Sequence, residues 1–257
     1  MNRPIRIGLI AEGEAELGPS IPYIKPEDGG KLIDRDAEGA LHTLIRRELE
    51  DFGWPDCQFV QRHPSLRERQ KLTRRTGHSI LECKYLAQIV IDWKPEEVDM
   101  IVIVVDADDV LAQRQRGLEL ALNTIRDNHL DVNEQIVCDR SAGGLAIKNF
   151  DTWLLTDTQT VSEILEVRLE PPGNLENLND TKGVLESAIT NSTCLYEDTT
   201  NQRPLKIKWR LAFKIDLQVL KTLCPNGYAV FAEGLSSAAK AVASAHRSIT
   251  PQNPRPD

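Results

Sequence analysis

The sequence predicts an α/β protein: a parallel sheet flanked by helices, with a helical C-terminal extension. Three observations carry this. Met100 to Val105 (MIVIVV) is a short, uninterrupted apolar run dominated by β-branched residues, and it ends abruptly in Asp106, Asp108 and Asp109. Such a run suits a strand buried on both faces, which is the hallmark of a parallel sheet covered by helices. Up to residue 157, short apolar runs alternate with stretches of helical periodicity, the pattern of right-handed strand-helix-strand crossovers. Beyond Asp157 helical spacing continues and no convincing strand pattern follows.

Taken in order, Ile5 to Ala11 (IRIGLIA) reads as the first strand, bounded by Pro4 and by the acidic turn Glu12-Gly13-Glu14-Ala15-Glu16. The next twenty residues carry Gly18, Pro19, Pro22, Pro26, Gly29 and Gly30 and read as a long loop, a length that tends to mark lids or binding loops. Ala37, Leu41, Leu44, Ile45, Leu49 and Phe52 fall at helical spacing, with Gly53 as the stop. Cys57 to Val60 is a short strand candidate, Ile80 to Trp93 a helix closed by Pro95, and Val110 to His129 a helix after the central strand. Gln135 to Cys138 reads as a further strand, Arg140 to Gly144 (RSAGG) as a turn, and Leu145 to Asp157 as extended chain turning helical around Trp153. Helices are expected at 161–165, 181–189, 217–223 and 231–246. The expected organisation is an α/β core over 1–157, a helical extension packed on it over 158–246, and a disordered tail over 247–257, where three prolines leave little to pack.

Composition narrows the function classes. The chain has 257 residues, 40% of them hydrophobic and 27% charged, values ordinary for a globular protein. No apolar run approaches the roughly 20 residues that span a bilayer, and the N-terminus lacks a signal-peptide pattern, so a cytoplasmic protein without membrane association is expected. Five cysteines at least 26 positions apart fit neither a disulfide framework nor a zinc knuckle. The net charge of -8 argues against a surface coated in basic residues but leaves room for a local basic patch.

That patch is expected in Gln61 to His78, read as the one strongly basic segment, where Arg62, Arg67, Arg69, Lys71, Arg74 and Arg75 face a single acid, Glu68. Lysine and arginine that neutralise backbone phosphates are the basis of sequence-independent nucleic-acid binding. A solvated loop or helix face explains the same residues equally well.

The carboxylates are the second signal. If the first and central strands are neighbours, about 4.8 Å apart, Glu12 and the Asp106/Asp108 pair share the carboxyl edge of the sheet, where open α/β folds bind ligands. Three acids crowded there repel one another unless a cation, a proton or a helix N-terminus offsets them. Mg²⁺ (or Mn²⁺) prefers a few carboxylate oxygens plus water and substrate phosphate, which this edge offers. The competing explanation is that Asp108 or Asp109 caps the following helix and that Glu14 and Glu16 are solvated turn residues.

Glu12 after a first strand and Asp106-x-Asp108 after a later one resemble the TOPRIM domain of topoisomerases, primases and OLD-type (overcoming lysogenisation defect) nucleases. More closely, the chain is similar to a TOPRIM-like bacterial family of unknown function. The blocks that carry the likeness are AEGEAE (11–16), GALHTLIRREL (39–49), VIVVDADD (102–109), FDTWLLTD (150–157), DTK (180–182) and KIDLQVL (214–220). The resemblance implies a TOPRIM/Rossmann-like fold and a Mg²⁺-dependent phosphoryl-transfer site. Glu12 would be a general acid/base or ligand, within a metal set of Glu12, Glu14, Asp106 and Asp108. A lysine offsetting charge on the scissile phosphate would be Lys148 or Lys182. Asp151 stands where relatives often have the longer Glu, so no ligand role is assigned to it, and the long loop after Glu16 separates the first strand from its helix.

The implied function is a nuclease or other phosphodiester-processing enzyme, in anti-phage defence or DNA processing, with nucleic acid as its partner. The alternative is a non-catalytic protein that binds a partner ATPase of a defence or DNA-processing system through the same edge. A phosphoaspartyl protein ranks third, because Glu12-Gly13-Glu14 poorly matches the paired acids those folds place after their first strand.

Overall fold

The computed structural model describes residues 4–19, 37–54, 56–65, 77–94, 96–127, 140–170, 173–178, 180–192 and 203–249. Four strands, Ile5–Ile10 (β1), Cys57–His63 (β2), Met100–Asp108 (β3) and Ser141–Ile147 (β4), form a sheet in the order β2-β1-β3-β4 with every neighbouring pair parallel. The chain steps from β1 outward to β2 and then returns to the other side of β1 for β3. The topological switch point therefore lies between β1 and β3, where an open α/β sheet leaves a crevice at its carboxyl edge.

The helices are Glu14–Leu17 (α1), Ala40–Asp51 (α2), Cys83–Asp92 (α3), Leu111–Asp127 (α4), Asp151–Leu154 (α5), Thr158–Leu165 (α6), Thr181–Asn191 (α7), Arg203–Lys214 (α8), Leu217–Leu223 (α9) and Tyr228–Ile249 (α10). The alternation of side chains along β3 explains its unbroken hydrophobicity. Met100, Val102 and Val104 enter a core shared with α2, α8 and α10, while Ile101, Ile103 and Val105 enter a second core shared with α3 and α4. Among the described residues, no helix is long and apolar enough to cross a membrane.

One expected turn is a strand. The stretch read as RSAGG begins β4, with Gly143 and Gly144 paired to Ile103 and Val104. A Cβ on Gly143 would stand 2.9 Å from the Leu122 side chain of α4, and one on Gly144 2.8 Å from the Phe231 ring of α10. Glycine in this strand records close approach of a helix on each face, not a chain reversal. The strand expected at 135–138 lies outside the described residues.

The helices after residue 157 bury their apolar faces in the same cluster as Ile7 and Leu9 of β1, so packing is continuous across that position. Trp153 is its centre: fully buried, stacked on Phe231 at 5.6 Å and edge-on to Tyr228 at 5.0 Å. The helix α10 runs three residues past the expected boundary at 246, and residues 250–257 lie outside the described ones. Helix α8 was not expected at all.

Candidate functional site

Of the acids expected on the sheet edge, Glu12 reaches the main chain of Asp106 at the switch point. Ile10 of β1 pairs with Ile103 of β3, which brings the residue two beyond β1 level with the end of β3. Glu12 Oε1 accepts the main-chain N–H of Asp106 at 3.3 Å, and its Oε2 accepts that of Gly77 at 2.8 Å. Gly77 has a left-handed φ of 57°, and a Cβ there would come within 2.5 Å of Arg114, so a glycine is what lets this amide reach the carboxylate.

The two aspartates of β3 have different surroundings. The register to β4 breaks between Asp106 and Asp108, and Asp108 is left-handed with φ 48°. Such a break interrupts the two-residue repeat that would keep both carboxylates on one face. Asp106 is half-buried, while the Asp108 side chain is 57% exposed with its Oδ2 3.5 Å from Arg114 Nη2. Asp109 Oδ1 lies 3.1 Å from Lys148 Nζ, so both of these aspartates face cations rather than capping α4. Lys148 is also left-handed, and its carbonyl accepts the Asp108 N–H at 2.9 Å. Two non-glycine residues in that conformation face each other at this edge, the kind of local strain that gathers at functional sites.

Two acids that the sequence reading set aside belong to the cluster. Glu16, taken as a solvated turn residue, is 6% exposed, and its Oε2 has no hydrogen-bond partner among the described residues. Its neighbour is Asp151, 5% exposed, which is held by Lys208 of α8 with Nζ 2.7 Å from Oδ1 and 2.9 Å from Oδ2. Burial, with the negative charge of Asp151 adding to it, pushes the Glu16 carboxyl up to about 7. Burial likewise pushes Asp106 well above the carboxylate range, helped by Glu16, Glu12 and Asp108. Burial raises Glu12 too, against the lowering pull of the Gly77 amide and Arg114. These mutual effects place Glu12, Glu16, Asp106 and Asp151 in one electrostatic neighbourhood built from α1, β3, α5 and the end of β1.

Other expected residues fall elsewhere. Glu14 opens the short α1 and is half-buried. Lys182 is on α7, 63% exposed, with Glu186 of its own helix 3.9 Å away. Arg62 is 7% exposed in β2 and donates to the carbonyls of Leu17 and Ala37, at 2.9 and 2.8 Å, which removes it from the phosphate-contacting set. It fastens α1 to the start of the next helical segment. Arg67, Arg69, Lys71, Arg74 and Arg75 lie outside the described residues.

Carboxylates are the donor type a hard divalent cation prefers, and Glu16 Oε2 is buried without a partner among the described residues. Among the described residues no three acidic, histidine or cysteine side chains form a ready-made ligand set. Lys208 is the cation that offsets the cluster from inside. Lys208→Ala leaves Asp151 buried and uncompensated, and is expected to lower unfolding free energy by on the order of 3 kcal/mol in urea titrations at pH 8. An unchanged midpoint would show that Asp151 takes up a proton or is hydrated instead.

Fold and site together define a parallel α/β protein with a buried acidic cluster at its switch point. No protein-family model matches the sequence, and no curated protein matches it. Among solved structures, the C-terminal region of the Xanthomonas campestris pv. campestris OLD protein aligns with 94% of this chain and 97% of that chain, at 15% identity and a TM-score of 0.39. The likeness is loose, and the α/β architecture rests on the strand pairing itself.

Proposed function

We propose that this chain is a Mg²⁺- or Mn²⁺-dependent enzyme of TOPRIM-like type that processes phosphodiesters of nucleic acid, in anti-phage defence or DNA processing. The observation that supports the reading above all others is the convergence of Glu12, Glu16, Asp106 and Asp151 on the edge between β1 and β3, where their charge is only partly offset. A bound divalent ion would supply an activated water and neutralise charge developing on the phosphate. Glu16 and Asp106 are the residues to hold it, with Asp108 toward solvent. Glu12, fixed by two main-chain amides, is oriented to take or give a proton. Lys208, paired with the buried Asp151, joins Lys148 and Lys182 as a candidate for the lysine of the site.

The test is cleavage of single-stranded DNA, supercoiled plasmid and RNA with Mg²⁺ or Mn²⁺. The wild-type chain is expected to cleave at least one of them, with EDTA abolishing cleavage and Asp106→Ala or Glu12→Ala lowering the rate by about 10²-fold or more. Inactivity on all three, or variants as fast as wild type, removes the proposal.

One observation favours a second reading. Both Glu12 oxygens accept main-chain amides and Asp108 faces Arg114, so part of the charge is settled within the fold. That arrangement suits a non-catalytic partner of an ATPase that uses this edge for docking. A chain inactive on its own that forms a stoichiometric complex with such an ATPase, lost on Asp108→Arg, is the result it requires.

A further inference from the structure

Helix α8 carries a charge pattern at odds with the rest of the chain. Within RPLKIKWRLAFK stand Arg203, Lys206, Lys208, Arg210 and Lys214 and no acid, in a protein of net charge -8. Ile207, Leu211 and Ala212 face the core, and Lys208 turns inward to Asp151. What remains outward is an ordered stripe. Lys206, Trp209, Arg210 and Phe213 follow the i, i+3, i+4, i+7 spacing of one helix face, with Lys214 beside them. Lys206, Arg210, Phe213 and Lys214 are exposed, Phe213 at 43%, and Trp209 is half-buried. The Trp209 and Phe213 rings stack at 5.6 Å and 7° from parallel, and Lys214 Nζ lies 5.4 Å from the Phe213 centroid.

A large aromatic held in water loses the burial that would stabilise it, so an exposed Phe213 backed by the half-buried Trp209 amid cations invites a ligand with both a flat face and negative charge. Single-stranded nucleic acid has both, and groove proteins bind it with cations along the backbone and aromatics under the bases. A duplex hides its base faces and would use the cations alone. Lys208, on the opposite face of α8, meets Asp151, so one helix carries both the outward stripe and the cation held against the acidic cluster.

We infer that the outward face of α8 is a docking surface for single-stranded DNA or RNA, with Phe213 and Trp209 stacking bases and Lys206, Arg210 and Lys214 contacting phosphates. The inference rests on the nucleic-acid reading of the site. It adds the strandedness of the substrate and a second set of contacts on the far side of the sequence from Gln61 to His78.

The experiment is fluorescence anisotropy with labelled 20-mers of dT, rU and a mixed-sequence duplex, on the full chain in EDTA, so that binding is read without turnover. Wild type is expected to bind a single strand more tightly than the duplex. Phe213→Ala should weaken single-strand binding roughly ten-fold, Phe213→Tyr should retain it, and the duplex should be indifferent to both. The Lys206→Ala, Arg210→Ala double variant should flatten the dependence of log affinity on log salt by roughly 0.7 per lost phosphate contact. All three side chains being exposed, circular dichroism should show the helical fold retained. Equal affinity of Phe213→Ala and wild type for dT and rU overturns the inference, as does binding only to anionic phospholipid vesicles. Single-strand binding by a chain that never cleaves removes the enzymatic proposal and leaves this one standing. Cleavage with α8 variants binding normally does the reverse.

Discussion

Glu16→Gln is expected to raise the stability of the metal-free chain at pH 8 by up to about 3 kcal/mol, while abolishing any stabilisation by divalent ions. Glu16 is buried with one oxygen unpartnered, and its carboxyl is pushed from 4.5 up to about 7, a rise whose free-energy equivalent is on the order of 3 kcal/mol. Because the folded pKa is raised, the folded chain binds more protons than the unfolded chain between those values. Wild-type stability from this source therefore increases as pH falls from about 7 to 4.5 and is lowest above 7. His42 works in the opposite direction. Burial, with the positive charge of Arg62 adding to it, lowers its imidazole to about 4, so the unfolded chain binds more protons between about 6.5 and 4 and stability drops as pH drops through that range. Glu12 and Asp106, also raised by burial, act in the same direction as Glu16 and persist in the variant, so the Glu16 contribution is read from the difference between the two chains: the variant should be favoured most above pH 7, with the advantage shrinking toward pH 4.5. In the presence of Mn²⁺ at a hundred times its dissociation constant, wild type should gain about 2.7 kcal/mol and the variant much less. Thermal melts across pH, with and without the ion, read all of this. A wild type that is unmoved by Mg²⁺ and Mn²⁺, and no more stable than its variant at pH 6 than at pH 8, would show that the acids are not held in the strained state described.

Trp153→Ala should be among the most destabilising single substitutions in the chain, at about 3–5 kcal/mol in urea unfolding. The indole is fully buried between Phe231, Tyr228 and Phe150, and those three rings come from α10 and the residue before α5. Removing it opens a cavity where the C-terminal helices meet the sheet. Its Nε1 has no hydrogen-bond partner among the described residues, so Trp153→Phe loses volume but also relieves an unsatisfied donor and should cost less than half as much. Equal losses for the two variants would mean that the N–H is satisfied and the contact differs from the one described. The region should also fail together: amides of α10 and β4 are expected to exchange faster in Trp153→Ala, because Phe231 packs on Gly144.

Much of the sheet was legible because its signal is local. The first and central strands are short runs of β-branched residues with breakers or acids at both ends, and burial on both faces leaves no polar alternation to confuse them. The fourth strand was misread for an equally physical reason. Gly143 and Gly144 look like a turn in one dimension, and only the helices pressed against both faces explain them. Helix α8 was missed although its composition was visible: Gln61 to His78 was read as the one strongly basic segment, and no helix was expected at 203–214, where five cations stand without an acid.

The site divides in the same way. The amino-acid order by itself determined that Glu12 follows β1 and that Asp106 and Asp108 stand at the carboxyl end of β3, since a strand's direction fixes which residues reach that edge. What only the tertiary structure decided is which acids lose their water. Glu16 and Asp151 look like ordinary turn and helix residues, yet the packing of α1, α5 and α8 buries them beside Glu12 and Asp106 and places Lys208 against Asp151. The same packing turned Arg62 inward. Desolvation and charge pairing depend on neighbours distant in the chain, so no spacing rule could assign them, whereas strand direction and periodicity are fixed by residues in succession.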